Sequence, residues 1–143
     1  MRTVRQLLES KGSEVHAISP DAAVIDAIRL MAEKGIGALV VLEPGGRLAG
    51  IVSERDYARK IVLEGRSSKD TPVRDIMTAD VITVGLDDVA PACMQLVTEQ
   101  RVRHLPVVVD GRVAGVVSIG DLVKAVIEEQ QFELEHLQRY ITS

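Results

Sequence analysis

Residues 35–56 read "GIGALVVLEPGGRLAGIVSERD", and residues 102–121 read "VRHLPVVVDGRVAGVVSIGD". Each is an apolar run, a tight turn, a second apolar run, and a Ser followed three residues later by an Asp. The match extends backwards. Residues 16–56 align with residues 82–121 after one single-residue deletion in the middle turn. Asp21, Leu30, Glu33, Leu39 and Val41 fall on Asp87, Leu96, Glu99, Leu105 and Val107. After the gap, Arg47, Ala49, Gly50, Val52, Ser53 and Asp56 fall on Arg112, Ala114, Gly115, Val117, Ser118 and Asp121. Two copies are too few for a solenoid, which needs about three. A pair of units related by an approximate two-fold axis is the simpler architecture.

Each copy repeats one order of elements. A short strand comes first, "HAI" (16–18) or "VITV" (81–84). A helix follows. In copy one, Ser19 is expected to cap it, Pro20 to take its first position and Gly35 to end it. Val24, Ala27, Ile28 and Met31 recur at helical spacing, as do Val89, Cys93, Leu96 and Val97 in copy two. Two strands come next, joined by "PGGR" or by "DG", the latter a hairpin signal. Their near-continuous apolar character suits a sheet covered on both faces. Pro106 suggests an interruption or a strand start near its position. A second helix begins at the S-x-x-D. The unit is β-α-β-β-α.

The remaining segments frame the copies. Thr3 and Gln6 can form a capping box for a helix through "VRQLLESK". "RSSKDTPVRDIMT" (66–78) is polar, carries Pro72 and reads as a connector, with Met77 as its apolar anchor. The expected organisation is an N-terminal helix at 1–14, motif one at 15–65, a linker at 66–79, motif two at 80–128 and a helical extension at 129–143. The last helix is expected to run from about Gly120 to about Tyr140, and its tail places Ile127, Leu134, Leu137 and Ile141 near heptad spacing, with Gln130 interrupting. The stripe is expected to pack on its own body, with a second copy of the chain as the alternative.

Composition excludes several functions. The 143 residues carry a net charge of −4 and offer no basic field for nucleic acid. The aromatics, Tyr57, Phe132 and Tyr140, make up 2% of the chain, so the core is aliphatic and no base-stacking platform exists. The single cysteine, Cys93, rules out an internal disulfide and a cysteine-based metal site; its place on an apolar helix stripe marks it as packing. His16, His104 and His136 match no metal-ligand spacing. No apolar run reaches the roughly 18 residues of a membrane span, and the first residues lack a signal-peptide core. A cytoplasmic location follows by default.

Locally, the S-x-x-D has two readings. Ser as N-cap with an acidic residue three positions on is close to a capping box, worth about 1 kcal/mol. The same residues can also form part of a ligand site, and the local sequence leaves both readings open. Arg55 and Arg59, four apart, share a helix face and can grip phosphate or simply be solvated; Arg66 and Lys69 could extend that positive rim. Gly35-x-Gly37 lacks the third glycine and the strand-before-helix order of a dinucleotide fingerprint. The copies differ at one edge: Gly37 and Ala38 in copy one stand where copy two has Arg103 and His104. Ile119 and Gly120 replace the Glu54 and Arg55 that precede Asp56. The two sites are therefore not equivalent.

With these residues in place, the sequence resembles the cystathionine β-synthase (CBS) domain, present as a tandem pair, or Bateman module. The two quoted stretches and "DIMT" (75–78) carry the resemblance, which covers about residues 1–130. It implies an α/β fold of two β-α-β-β-α motifs packed sheet to sheet with pseudo-two-fold symmetry. It implies binding of adenosine-containing ligands (AMP, ADP, ATP, NAD or S-adenosylmethionine) in the clefts between the motifs. By position it assigns the ribose to Asp56 and Asp121 and phosphate to Ser53 and Ser118. It lines the adenine pocket with Ala17, Ile36, Gly37 and Ala38 in copy one, and with Thr83, Val102, Arg103 and His104 in copy two. The chain is thus expected to be a non-catalytic, ligand-sensing signal-transduction module. It would have no catalytic residue, catalytic cofactor or metal, and would act as a homodimer on a regulated protein not written in the sequence. AMP or NAD is the preferred ligand. A scaffold that dimerises without ligand is the alternative.

Overall fold

The computed structural model describes residues 1–142. Ser143, the last position of the expected extension, lies outside the described residues. In chain order the elements are α1 (Val4–Lys11), β1 (Ala17–Ile18), α2 (Val24–Lys34), β2 (Ala38–Leu42), β3 (Leu48–Ser53), α3 (Glu54–Tyr57), α4 (Ala90–Gln100), β4 (His104–Val109), β5 (Arg112–Ser118) and α5 (Ile119–Thr142). A π-helical turn (Ala58–Val62) continues α3, and a 3₁₀ turn (Val73–Asp75) lies in the connector. The fold is mixed α/β with two small sheets. The chain divides into two units: residues 15–82 with 110–113, and residues 1–14, 83–109 and 114–143.

In the unit built around copy one, β1 runs parallel to β2 and β2 pairs antiparallel with β3. Strand alternation sends Leu39, Val41 and Val52 to one face, where they are buried with Val24, Ala27 and Met31 of α2. The connector joins this core: Val73 and Ile76 are fully buried. It also replaces the expected cap of α2. Val24 and Ile25 donate their backbone N–H groups to the carbonyls of Thr71 and Ser68, both at 2.9 Å. With those orphan donors satisfied, α2 starts at Val24 behind Ala23. Ser19 caps no helix; it accepts from the Asp21 N–H in a preceding turn. Gly35 ends α2 in the left-handed conformation at φ 65°, as its position predicts.

In copy two β4 pairs with β5 through the predicted tight turn, where Asp110 and Gly111 both have positive φ. The capping box of α1 forms as read: Thr3 accepts from the Gln6 N–H, and the Gln6 side chain accepts from the Thr3 N–H. The expected first strand "VITV" is reduced to one bridge, Val84 to Val107. The cause is one substitution between copies. In copy one Val40 N–H donates to His16 O. The matching position in copy two is Pro106, which has no N–H to give. Pro106 sits inside β4, buried, and its carbonyl accepts from Val84 N at 3.0 Å.

Each unit is closed by a short segment that sequence matching over 16–56 and 82–121 did not include. In one unit, Val4 and Arg5 donate their N–H groups to the carbonyls of Asp88 and Leu86, and Arg5 pairs with Asp87. In the other, Val73 and Arg74 donate to the carbonyls of Ala22 and Pro20, and Arg74 pairs with Asp21. Leu8 packs where a Cβ on Gly115 would stand (2.7 Å), and Met77 packs where one on Gly50 would stand (2.8 Å). The signal was present in the sequence: "TVRQLL" at 3–8 parallels "PVRDIM" at 72–77.

The C-terminal stripe departs from expectation. Arg2 bonds Glu128 at 2.6 Å and the N-terminal amine pairs with Glu129 at 3.1 Å. Beyond that tether, residues 130–141 are all exposed. Leu134, Leu137 and Ile141 are therefore not buried against the body of their own chain.

Candidate functional site

The S-x-x-D of copy one is first of all a cap. Ser53 precedes α3 with extended backbone, and its hydroxyl accepts from the Asp56 N–H. Asp56 Oδ2 accepts from Ser53 N–H at 2.9 Å and from the Ser53 hydroxyl at 3.1 Å. That leaves Asp56 Oδ1, which meets Lys60 Nζ at 3.7 Å, while the same ammonium donates to Ile76 O at 2.9 Å. The capping box thus fixes the carboxylate and keeps one of its oxygens lightly engaged.

The strands put small residues beside that carboxylate. Ala38 is the register partner of Ser53, and Ala17 the partner of Val40. By alternation Ala17, Ala38 and Ser53 share the sheet face opposite the core. Ile36 donates to Met31 O at the end of α2, and Gly37 O accepts from Glu54 N–H at 3.0 Å. A Cβ on Gly37 would stand 3.2 Å from a Glu54 carboxylate oxygen. Arg55 and Arg59 are exposed. Arg66 does not extend a free positive rim: it pairs with Asp75 at 3.0 Å.

Copy two repeats the frame with different chemistry. Val102 donates to Val97 O, and Arg103 O accepts from Ile119 N–H at 2.9 Å, the counterparts of the bonds at Ile36 and Gly37. Ser118 N–H donates to Asp121 Oδ2 at 2.8 Å, and Asp121 N–H to the Ser118 hydroxyl at 3.1 Å. The same Oδ2 also takes Lys11 Nζ of α1 at 2.6 Å, and that ammonium donates to Val116 O at 2.7 Å. Burial acts to raise the Asp121 carboxyl, but the bonds from Lys11 and Ser118 outweigh it and hold it below the usual range. His104, half-buried at the start of β4, is pushed below the ordinary imidazole value by burial; the Asp121 charge opposes this, and Lys11 and Arg103 add to it.

Two recesses flank these positions. One, of about 300 Å³, is lined by Ile36, Gly37 and Glu54 together with the end of α2. The other, of about 290 Å³, is lined by Thr83, Val84, Asp88, Cys93 and neighbours on α4. Neither is lined by an S-x-x-D serine or aspartate. Among the described residues no histidine, cysteine and carboxylate cluster could hold a metal ion. Cys93 is buried, with its thiol pushed up by burial and by Asp88, away from the reactive thiolate.

The residues missed from sequence are the two lysines and Glu54. Lys60 was legible as an i,i+4 neighbour of Asp56. Lys11 lies 110 positions from Asp121, and only the "TVR" and "PVR" match could have brought α1 to copy two.

The chain is 45% identical over 147 residues to the Arabidopsis thaliana protein named CBS domain-containing protein CBSX3, mitochondrial, covering 97% of this chain and 71% of that one. That name lends no support to a cytoplasmic location. A putative signal-transduction protein with CBS domains from Burkholderia ambifaria superposes with a TM-score of 0.86 at 53% identity, covering 90% of this chain and 96% of that one. The CBS domain pair of protein MJ0100, solved with 5′-methylthioadenosine and S-adenosylmethionine, has a TM-score of 0.78 and covers 87% of this chain and 99% of its own. At 22% identity that likeness is one of fold. The chain spans from 21% to 77% of the length of the curated relatives set beside it. No helix among the described residues is long and apolar enough to cross a membrane. The CBS domain family model matches residues 4–63 and 73–128, and the chain belongs to that family as a pair of CBS domains.

Proposed function

We propose that this CBS pair is a non-catalytic regulatory module that binds an adenosine-containing ligand, and that the copy-one site binds first. The observation that carries the order is the different engagement of the two aspartates. Asp121 is paired tightly with a lysine, 2.6 Å from the Oδ2 that also accepts from Ser118, whereas the Lys60 ammonium stands 3.7 Å from Asp56. Asp56 Oδ1 would accept from the ribose hydroxyls, since a carboxylate has lone pairs for both. Ala17, Ile36, Gly37 and Ala38 would let a flat base approach the backbone. Arg55 and Arg59 would meet phosphate, with Ser53 holding the aspartate in place. Glu54 beside Gly37 disfavours a phosphate there and would turn that end of the ligand towards the arginines.

In copy two, Ser118 and Asp121 would play the matching roles, with Thr83, Val102, Arg103 and His104 around the base. A ligand there would share the Asp121 carboxylate with Lys11, whose ammonium already partly neutralises it. AMP or NAD is the preferred ligand class. The MJ0100 pair with its two adenosyl compounds supports the class through shared fold alone. Regulation follows if the ligand has different affinity for two conformations that a partner protein distinguishes.

Calorimetric titration with AMP, ADP, ATP, NAD and S-adenosylmethionine tests this. The expected result is one stronger site, weakened at least tenfold by Asp56→Asn and little changed by Asp121→Asn. Asn can keep the acceptor of the cap, so Asp56→Asn separates ligand contact from helix stability. Absence of heat with every ligand would leave a structural scaffold. Binding that survives both substitutions would remove the site from the S-x-x-D.

A further inference from the structure

Residues 130–141 of α5 are exposed, and five apolar residues of the helix fall on a strict seven-residue repeat, with Phe132 and Tyr140 lying off it. Ile127, Leu134 and Ile141 are one series; Val123, Gln130 and Leu137 are the other. Ile127 is 48% exposed, Leu134 59%, Leu137 53% and Ile141 73%. Two series offset by three and four residues are the seam of a coiled coil, narrower than the stripe a helix buries against its own body.

We propose that Val123, Ile127, Gln130, Leu134, Leu137 and Ile141 form the seam of a parallel two-stranded coiled coil with a second copy of this chain. The polar residue chooses both occupant and direction. In a parallel pair in register, Gln130 faces Gln130 of the other copy, and each side-chain amide can donate to the other. In an antiparallel pair that keeps the apolar seam, Gln130 faces Leu134, and Glu133 comes opposite its own copy. A single polar seam residue is the known device for fixing register and direction.

The flanks agree. In the parallel pair Val126 and Glu133 come opposite Gln131 and Gln138, so no like charges meet. Size also agrees. Five apolar seam side chains at these exposures supply on the order of 500 Å² per chain, so that with their polar flanks the pair clears the roughly 1,000 Å² total of a specific interface. This gives the homodimer expected from sequence a contact and an orientation, and it stands whether or not a nucleotide binds.

The test uses the full chain. Sedimentation equilibrium should give a dimer in the micromolar range. Leu134→Lys with Leu137→Lys should weaken it about a hundredfold or more while the thermal unfolding of the body stays unchanged. Gln130→Cys, oxidised mildly, should give a disulfide-linked dimer; wild type, with its buried Cys93, should not. A monomeric wild type overturns the proposal. So does a dimer that survives the double lysine variant. A dimer in which Gln130→Cys fails to cross-link overturns the parallel seam.

Discussion

Lys11 Nζ lies 2.6 Å from Asp121 Oδ2 and 2.7 Å from Val116 O, joining α1 to the start of α5. The bond is charge-assisted but partly solvated, with about a third of the lysine side chain exposed. Its loss in Lys11→Met should cost about 1 kcal/mol at neutral pH. The sign with pH follows from Asp121, whose folded value is held down. Such a carboxylate stabilises above its unfolded value near 3.9, and the contribution disappears as pH falls through the folded value. Urea unfolding of wild type and Lys11→Met should therefore differ at pH 7 and converge in acid. A constant gap down to pH 2 would show that the lysine acts through packing of its stem.

His104 titrates in the opposite sense to a salt-bridged histidine. Burial favours its neutral form, so its folded value lies below the unfolded value near 6.5. The unfolded chain takes the proton first as pH falls. Stability contributed by the neutral imidazole is whole above about pH 6.5, declines below it, and levels off beneath the folded value. His104→Asn should flatten the fall in unfolding free energy between pH 7 and 5. Removing the opposing charge with Asp121→Asn should lower the His104 midpoint further, read from its ring resonances. A midpoint that rises in Asp121→Asn would refute this account of the cluster.

Gly50 and Gly115 occupy matching places in the repeat but should differ in tolerance. A Cβ on Gly50 would stand 2.6 Å from the Thr78 carbonyl oxygen, and Thr78 is fixed by paired backbone bonds with Ile51. A Cβ on Gly115 would meet Leu8 methyl carbons at 2.7 and 3.0 Å, the far end of a flexible side chain. Overpacking costs roughly 1–3 kcal/mol. Gly50→Ala should sit at the upper end and Gly115→Ala at the lower. Leu8→Val should recover part of the loss in Gly115→Ala. Equal destabilisation by the two alanines, measured by denaturant midpoint, would contradict the contrast between backbone and side-chain obstacles.

Much of this fold is written in local pattern. The hairpin at Asp110–Gly111, the αL end of α2 at Gly35 and the Thr3–Gln6 box needed only neighbouring residues. What escaped depends on distant chain. The start of α2 is set by carbonyls of Ser68 and Thr71, which no reading of residues 19–24 contains. The loss of the first strand in copy two turns on Pro106, whose missing N–H matters only once its partner strand is known. The candidate site shows the same division. Ser53 and Asp56 were legible as a pair, because a cap is local. Lys11 was not, because its bond to Asp121 exists only after α1 has folded against copy two.

The repeat also exposes a position where the second copy is strained. Both α2 and α4 end in a left-handed residue. In copy one it is Gly35 at φ 65°; in copy two it is Arg101 at φ 56°. A side chain in that region costs about 1 kcal/mol relative to glycine. Glycine gives back part of this by loosening the unfolded chain. Arg101→Gly should stabilise the protein by a net of roughly 0.5 kcal/mol. Gly35→Arg, which imposes the strain on copy one, should destabilise by about the same amount. Guanidinium midpoints of the two variants should move in opposite directions. Should Arg101→Gly prove destabilising instead, the arginine side chain would have to be contributing contacts within the chain that outweigh its backbone strain.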